Sequence, residues 1–410
     1  MEENIRIALF PDTYDEIDGV ANTSRQFEAF AKKRGLDFLV VCGGTQDKLE
    51  IEGTVRRVTF RRGPIGFPLD RHHAFDLAFW RHYSRAIEEV RAFAPDIVHI
   101  TGPSDVGQLG TLIAHRLRVP LAASWHTNLH EYAERRASAL FFFLSQPAQR
   151  RIGAVIHDAS LSAVLRFYGL AHILFAPNVA LIDLLASRVN KPVHSMRRGV
   201  DAQLFSPEKR DRKNGPFTIG YVGRLTVEKN IRFLAELEAA LVRSGFADFR
   251  FSIVGQGGEE EWLKANMQRA DVHGVLKGEA LARAYANLDA FVFPSRTDTF
   301  GNVVLEALAS GVPAIVTDGG GPQFIVRSGE TGFVARDTDE FVARIRQLAA
   351  QPALLQNMRL AAREYALNLS WERIFGNLYG DYRKELLNAA LVGKNAKSRP
   401  QPGVVSERIS

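Results

Sequence analysis

Two carboxylates, Asp298 and Glu306, flank Phe300 and Gly301 in the stretch 291–321, FVFPSRTDTFGNVVLEALASGVPAIVTDGGG. The apolar run 288–293, closed by Pro294, reads as a buried strand. Residues 295–299 read as the loop leaving it, and 302–310 as a helix with Gly311 just past its end. A second strand, 313–317, runs into three glycines. Asp298 therefore lies just before a helix and Glu306 in its first turns. Ionised carboxylates accept hydrogen bonds from hydroxyl groups. Open N–H groups at a helix start, here Phe300 and Gly301, attract anionic oxygens. A ligand with many hydroxyls and a phosphate, such as a nucleotide sugar, suits both features. The plainer alternative is that Asp298 caps the helix and Glu306 is solvated.

Cations stand at a second place. Arg224 and Lys229 lie between a strand at 218–223, TIGYVG, and a helix starting near Ile231, in the stretch GRLTVEKN. Arg offers a planar fork to phosphate oxygens and Lys a compact charge. Two solvated cations are the alternative. His126 follows a strand at 120–124, at the carboxyl end where parallel sheets bind ligands, although a lone histidine is more often structural. Gly19 precedes a helix that Asn22, Thr23 or Ser24 would cap, and a glycine there lets backbone approach a phosphate; a simple turn also explains it. The stretch 255–260, GQGGEE, is similar to a dinucleotide fingerprint, but Glu260 fills the third glycine position, which disfavours a nicotinamide cofactor.

Groups so placed need parallel strands ending at one edge. Strands are expected at 5–10, 37–42, 55–60, 96–100, 120–124, 154–156, 173–175 and 193–198, with helices at 79–94 and 105–117. A second alternation runs from 217 through 249–254, a helix at 279–287, the carboxylate stretch, a strand at 331–335 and helices to about Asn368. This predicts an α/β chain with two doubly wound parallel sheets. The expected division is a first domain at 1–195, a charged aperiodic linker at 196–215, a second domain at 216–370, an amphipathic helix at 371–391 and a disordered tail at 392–410. The basic, aromatic stretch 60–76 reads as a loop over the cleft or a plain surface loop. In 134–151, Phe141, Phe142 and Phe143 stand between arginine pairs, which suits a membrane surface, a lipid acceptor or simple packing into the first domain.

The 410 residues suffice for two or more domains, and 46% hydrophobic residues is ordinary for a globular protein. No apolar run reaches the roughly eighteen residues of a membrane span. The start, MEENIRIALF, lacks the basic lead and apolar core of a signal peptide. One cysteine, Cys42, excludes an internal disulfide framework. The cytoplasm is expected, with peripheral contact at the inner face of the membrane left open. A net charge of +6 and pI near 9.4 suit anionic substrates or membranes, or no specific partner. No nucleic-acid motif is present.

An acidic residue, one residue, Phe-Gly, four residues and Glu resembles the signature of retaining glycosyltransferases of family 4, which have the GT-B fold: two Rossmann-like domains facing across a cleft. Asp298 stands where most members carry Glu. The HTN, RRGVD and DTFGNVVLE forms are similar to GDP-mannose-dependent α-mannosyltransferases and their glycolipid-forming relatives. The resemblance implies transfer of a hexose from a GDP- or UDP-linked donor to a glycan or lipid-linked acceptor, with no cofactor and no metal. Arg224 and Lys229 would hold the donor diphosphate beside Gly19, and His126 would sit near the reacting sugar carbon. The segment with Leu276 and Lys277 would read the base beside Gly255. Asp298 and the Phe300, Gly301, Asn302 backbone would grip the sugar, and Glu306 the ribose. In this picture the 371–391 helix returns to the first domain. A sugar-nucleotide epimerase and a non-catalytic nucleotide-sugar binder are the alternatives.

Overall fold

The computed structural model describes residues 4–16, 18–63, 66–68, 74–128, 130 and 145–397. In the first half these form β1 (Ile7–Phe10), β2 (Phe38–Gly44), β3 (Lys48–Glu52), β4 (Val55–Arg61), β5 (Gly66–Pro68), β6 (Ala74–Asp76), β7 (Ile97–Ile100), β8 (Leu121–Ser124), β9 (Ile173–Ala176) and β10 (Val193–Ser195). One sheet has the order β10-β9-β8-β7-β1-β2-β4-β3, parallel except at β3–β4, and β5 pairs with β6 as a separate ribbon. The second half adds β11 (Phe217–Val222), β12 (Phe249–Val254), β13 (Ala270–Val272), β14 (Ala290–Phe293), β15 (Ala314–Thr317) and β16 (Gly332–Ala335). These form a wholly parallel sheet ordered β13-β12-β11-β14-β15-β16.

Short apolar runs make these strands because both faces are covered. In the first sheet Ala8, Phe10, Leu39 and Val41 join one core, while Ile7, Leu9, Phe38 and Val40 join the other, the alternation expected of a pleat. The second core contains Phe27 and Phe30 from the Gly19–Arg34 helix together with Phe375, Leu378, Tyr379 and Tyr382. Those four come from the last helix, Trp371–Lys397, which therefore returns to cover the first sheet. Phe27 and Phe375 stack with ring centroids 4.5 Å apart.

Strand order fixes where a ligand can bind. β1 lies between β2 and β7, and β11 between β12 and β14. The direction of strand addition reverses at each place, which opens a crevice beyond the carboxyl ends. Arg224 and Lys229 leave β11, Asp298 leaves β14, Gly19 follows β1 and His126 follows β8. All five thus follow the carboxyl ends of parallel strands, the position expected of them.

Several expectations change. The 154–156 strand does not form; those residues lie inside the Gln146–Tyr168 helix. Asp18 caps the first helix, accepting from Val20 and Ala21 N–H, while Thr23 and Ser24 lie within it and bond to carbonyls of the preceding turn. The last helix continues to Lys397, past the expected start of the tail at 392. β3 was not anticipated. The connector is pinned rather than loose: Asp289 accepts from Arg210 Nη2 and Arg359 Nη2, each at 2.9 Å, and pairs with Arg212. The Phe141 to Phe143 cluster and parts of the 60–76 stretch lie outside the described residues.

Candidate active site

Because β11 and β14 are neighbours, the loops leaving them touch. Lys229 ends a short 3-10 turn, Val227–Lys229, and its Nζ lies 2.7 Å from Asp298 Oδ1. Ser295 Oγ donates to the other Asp298 oxygen at 2.5 Å. The two charged side chains are 13% and 21% exposed. Burial alone would raise the Asp298 carboxyl, but the Lys229 ammonium and then the Ser295 hydroxyl hold it below its usual range. Asp298 is ionised at neutral pH and does not cap the following helix, which starts at Gly301 with no side-chain cap. Its first-turn N–H groups are thus left to other acceptors. Gly301 has φ +102, a conformation that favours glycine.

Arg224 pairs with Glu228 in the same loop, and Tyr221 donates to the Arg224 carbonyl at 3.0 Å. Asn230 Nδ2 reaches the Pro294 carbonyl at 3.4 Å, tying the cationic loop to the carboxylate loop. Gly255, expected beside the donor, also serves packing. Its φ is +145, and a Cβ there would lie 1.9 Å from the Gly223 carbonyl oxygen. Its N–H donates to the Gly274 carbonyl at 2.7 Å. Gly255 thus lets the two strand-end loops pack tightly.

Glu306 accepts from Tyr285 OH at 2.9 Å. Burial pushes its carboxyl up to about 7, with the tyrosine hydrogen bond opposing only in part. Glu306 is therefore no solvated helix residue, and it titrates in the neutral range. Tyr285, fully buried on the Gly278–Ala286 helix, is a supporting residue that the sequence does not flag. Leu276 is half-buried against the second core, and exposed Lys277 opens that same helix.

The first half meets this site at a few points. A Cβ at Gly19 would lie 3.4 Å from Asn302 Nδ2, so two helix starts face each other. The first is filled by its own Asp18 cap, so Gly19 supplies closeness rather than open N–H donors. Thr299 Oγ1 donates to the His126 carbonyl at 2.6 Å, and Asn178 Nδ2 donates to the Thr299 carbonyl at 2.9 Å. Phe300, which follows Thr299, is buried in the core of the second half. The His126 imidazole is only 5% exposed: Nδ1 faces Arg198 Nη2 at 3.0 Å and Nε2 faces Ser124 Oγ at 2.6 Å. Burial, aided by the Arg198 charge, lowers its pKa well below the usual value. His126 sits beside the site, but in this structure its ring offers no nitrogen to a sugar.

Arg224, Lys229, Asp298 and Glu306 thus sit on one side, with Gly19 and the His126 carbonyl opposite. Among the described residues no group of three or more His, Cys, Asp or Glu side chains could hold a metal ion, and no helix is long and apolar enough to cross a membrane. A cavity of about 520 Å³, lined by Arg197, Arg327, Tyr365 and Arg373, shares no residue with this constellation and lies where the chain crosses between the halves.

The family model described as glycosyl transferases group 1 matches residues 216–351, and a glycosyl transferase 4-like domain matches 18–163. The GDP-mannose-dependent alpha-mannosyltransferase of Mycolicibacterium smegmatis is 30% identical over 405 residues, covering 93% of this chain and 98% of that protein. The protein of the same description from Mycobacterium tuberculosis is 29% identical over 407 residues, covering 92% and 96%. Sucrose-phosphate synthase from Thermosynechococcus elongatus shares the fold with a TM-score of 0.69 at 21% identity, covering 94% of this chain and 100% of that one. An Anabaena protein solved in complex with UDP-glucose gives 0.62 at 14% identity, covering 93% and 100%. The two facing Rossmann-like sheets are the GT-B architecture.

Proposed function

Because the chain belongs to the group 1 glycosyl transferases, and is a glycosyltransferase acting from a nucleotide-sugar donor, we propose that it moves mannose from GDP-mannose, with retention at the anomeric carbon and without a bound metal, to a glycan or lipid-linked acceptor. The observation that carries this reading is the Lys229–Asp298–Ser295 cluster at the β11–β14 switch point, beside an uncapped helix start. The full-length similarity to GDP-mannose-dependent enzymes supports the choice of donor. Transferases and synthases among the relatives leave neither an epimerase nor a non-catalytic binder favoured.

In this reading Lys229 and Arg224 bind the diphosphate, exchanging Asp298 and Glu228 for phosphate oxygens. The N–H groups at Gly301 and Asn302 add donors. Asp298, held by Ser295, accepts from sugar hydroxyls, and Glu306 accepts from the ribose. The bond from the anomeric carbon to the phosphate oxygen lengthens, and its electron pair goes to the diphosphate, where the two cations stabilise it. The acceptor oxygen bonds to the same face of that carbon, and its proton passes to the departing phosphate oxygen. The segment with Leu276 and Lys277 lies against the base. Closure of the two halves excludes water. A glycolipid acceptor would bring the protein to the membrane surface, where the cationic surplus of the whole chain favours anionic lipids.

A panel of GDP- and UDP-linked sugars tests the proposal, read by nucleoside diphosphate release with a lipid or glycan acceptor. GDP release from GDP-mannose, with an α-linked product, is expected. Turnover only with UDP-linked donors overturns the donor assignment.

A further inference from the structure

His126 lies in a buried chain of polar side chains that runs from Arg198 to Tyr382. Arginine has only donors, so Arg198 Nη2 at 3.0 Å obliges His126 Nδ1 to accept. The His126 proton is then on Nε2, which donates to Ser124 Oγ at 2.6 Å. The Ser124 hydroxyl hydrogen is left for His99 Nε2 at 2.8 Å. His99 is protonated on Nδ1 and donates to Tyr382 OH. One fixed donor thus sets two tautomers. Burial first, and the Arg198 charge second, keep both rings neutral, with His99 down to about 3.

This chain joins the last helix to two neighbouring strands of the first sheet and to the segment after β10. Tyr382 belongs to the Trp371–Lys397 helix, His99 to β7 and Ser124 to β8, while Arg198 follows β10. Arg198 itself is anchored by donating to the Met196 carbonyl at 3.1 Å. All five side chains are 5% exposed or less. Burying them costs desolvation that apolar residues would avoid. At the far end, the His126 carbonyl accepts from Thr299, the residue next to Asp298. Ring and carbonyl belong to one residue, so side-chain anchors that hold the ring also restrict how far the His126 backbone can shift away from Thr299.

We propose that Arg198, Ser124, His99 and Tyr382 are positioning residues for sugar transfer: they lock His126 so that its carbonyl holds Thr299, and with it the Asp298 loop, against the first half. The returning helix is thereby coupled to the sugar-binding loop. The proposal rests on Asp298 being a sugar ligand.

Two readouts test it. Imidazole nitrogen NMR of the intact protein needs no donor, so it is independent of the donor assignment. It should show His126 protonated on Nε2 and His99 on Nδ1. His126 protonated on Nδ1 overturns the chain. Kinetics of Tyr382→Phe, which removes one oxygen far from the site, should show kcat roughly tenfold lower with unchanged affinity for GDP. Ser124→Ala, which cuts the chain at its middle, should lower kcat at least as much. Wild-type kcat in both variants, or a loss of GDP affinity equal to the loss of kcat, overturns the coupling.

Discussion

Lys229 Nζ lies 2.7 Å from Asp298 Oδ1, joining side chains that leave two neighbouring parallel strands. Each is the other's counter-ion, and under the proposed function a donor diphosphate would compete with Asp298 for the same ammonium. Asp298→Asn keeps the shape and removes the charge. We expect kcat/KM to fall roughly 100-fold, as for loss of a strong transition-state contact, with the fold intact by circular dichroism. A variant within twofold of wild type would exclude Asp298 from the reaction.

If Glu306 accepts from the donor ribose as proposed, donor binding should depend on pH. Burial lifts its pKa from 4.5 to about 7. The folded protein therefore keeps a proton that the unfolded chain releases, so this group's contribution to stability is full below about pH 4.5 and lost as pH rises through about 7. Ribose hydroxyls favour the ionised form. The donor KM should fall as pH rises through about 7, with protons released on binding, and Glu306→Gln should flatten the profile. Calorimetry in buffers of different ionisation enthalpy measures the release; none in the wild type would refute the ribose role.

Much of this was legible in the sequence because the informative groups are local. Asp298, Phe300 and Glu306 lie on one loop and helix, and Arg224 and Lys229 on another, so spacing alone assigns them to strand ends. What the sequence hides is pairing over distance. His99 and Tyr382 are 283 residues apart and meet only because the last helix returns. Tyr285 reads as an ordinary helix residue until the fold sets it beside Glu306. The KLEIE strand was missed because an edge strand with mixed charge lacks the apolar run of a central one. Ala154, Val155 and Ile156 suggest a short strand, but three apolar residues cannot separate strand from helix. The packing of Gly255 against the Gly223 carbonyl is likewise invisible in the sequence, because it joins two separate strand ends.

The returning helix should carry a large share of the stability of the first half. Phe375→Ala removes a ring stacked on Phe27 at 4.5 Å and buried to 0% exposure. Urea unfolding should show a loss of about 3–5 kcal/mol. A loss under about 1 kcal/mol would mean that the helix is not part of that core.

Two cations at the diphosphate make a metal unnecessary in our mechanism. Nucleoside diphosphate release should be the same, within about twofold, in excess chelator and in added magnesium. Activity abolished by chelation and restored by a divalent ion would assign part of the charge stabilisation to a metal.

The central claim is that Lys229 carries the leaving diphosphate, and the most direct measurement is kcat/KM of Lys229→Ala with GDP-mannose, alongside its thermal melting curve. We predict a loss of roughly 10²–10³-fold in a protein that still melts cooperatively. Turnover equal to wild type in a folded Lys229→Ala protein would contradict the account.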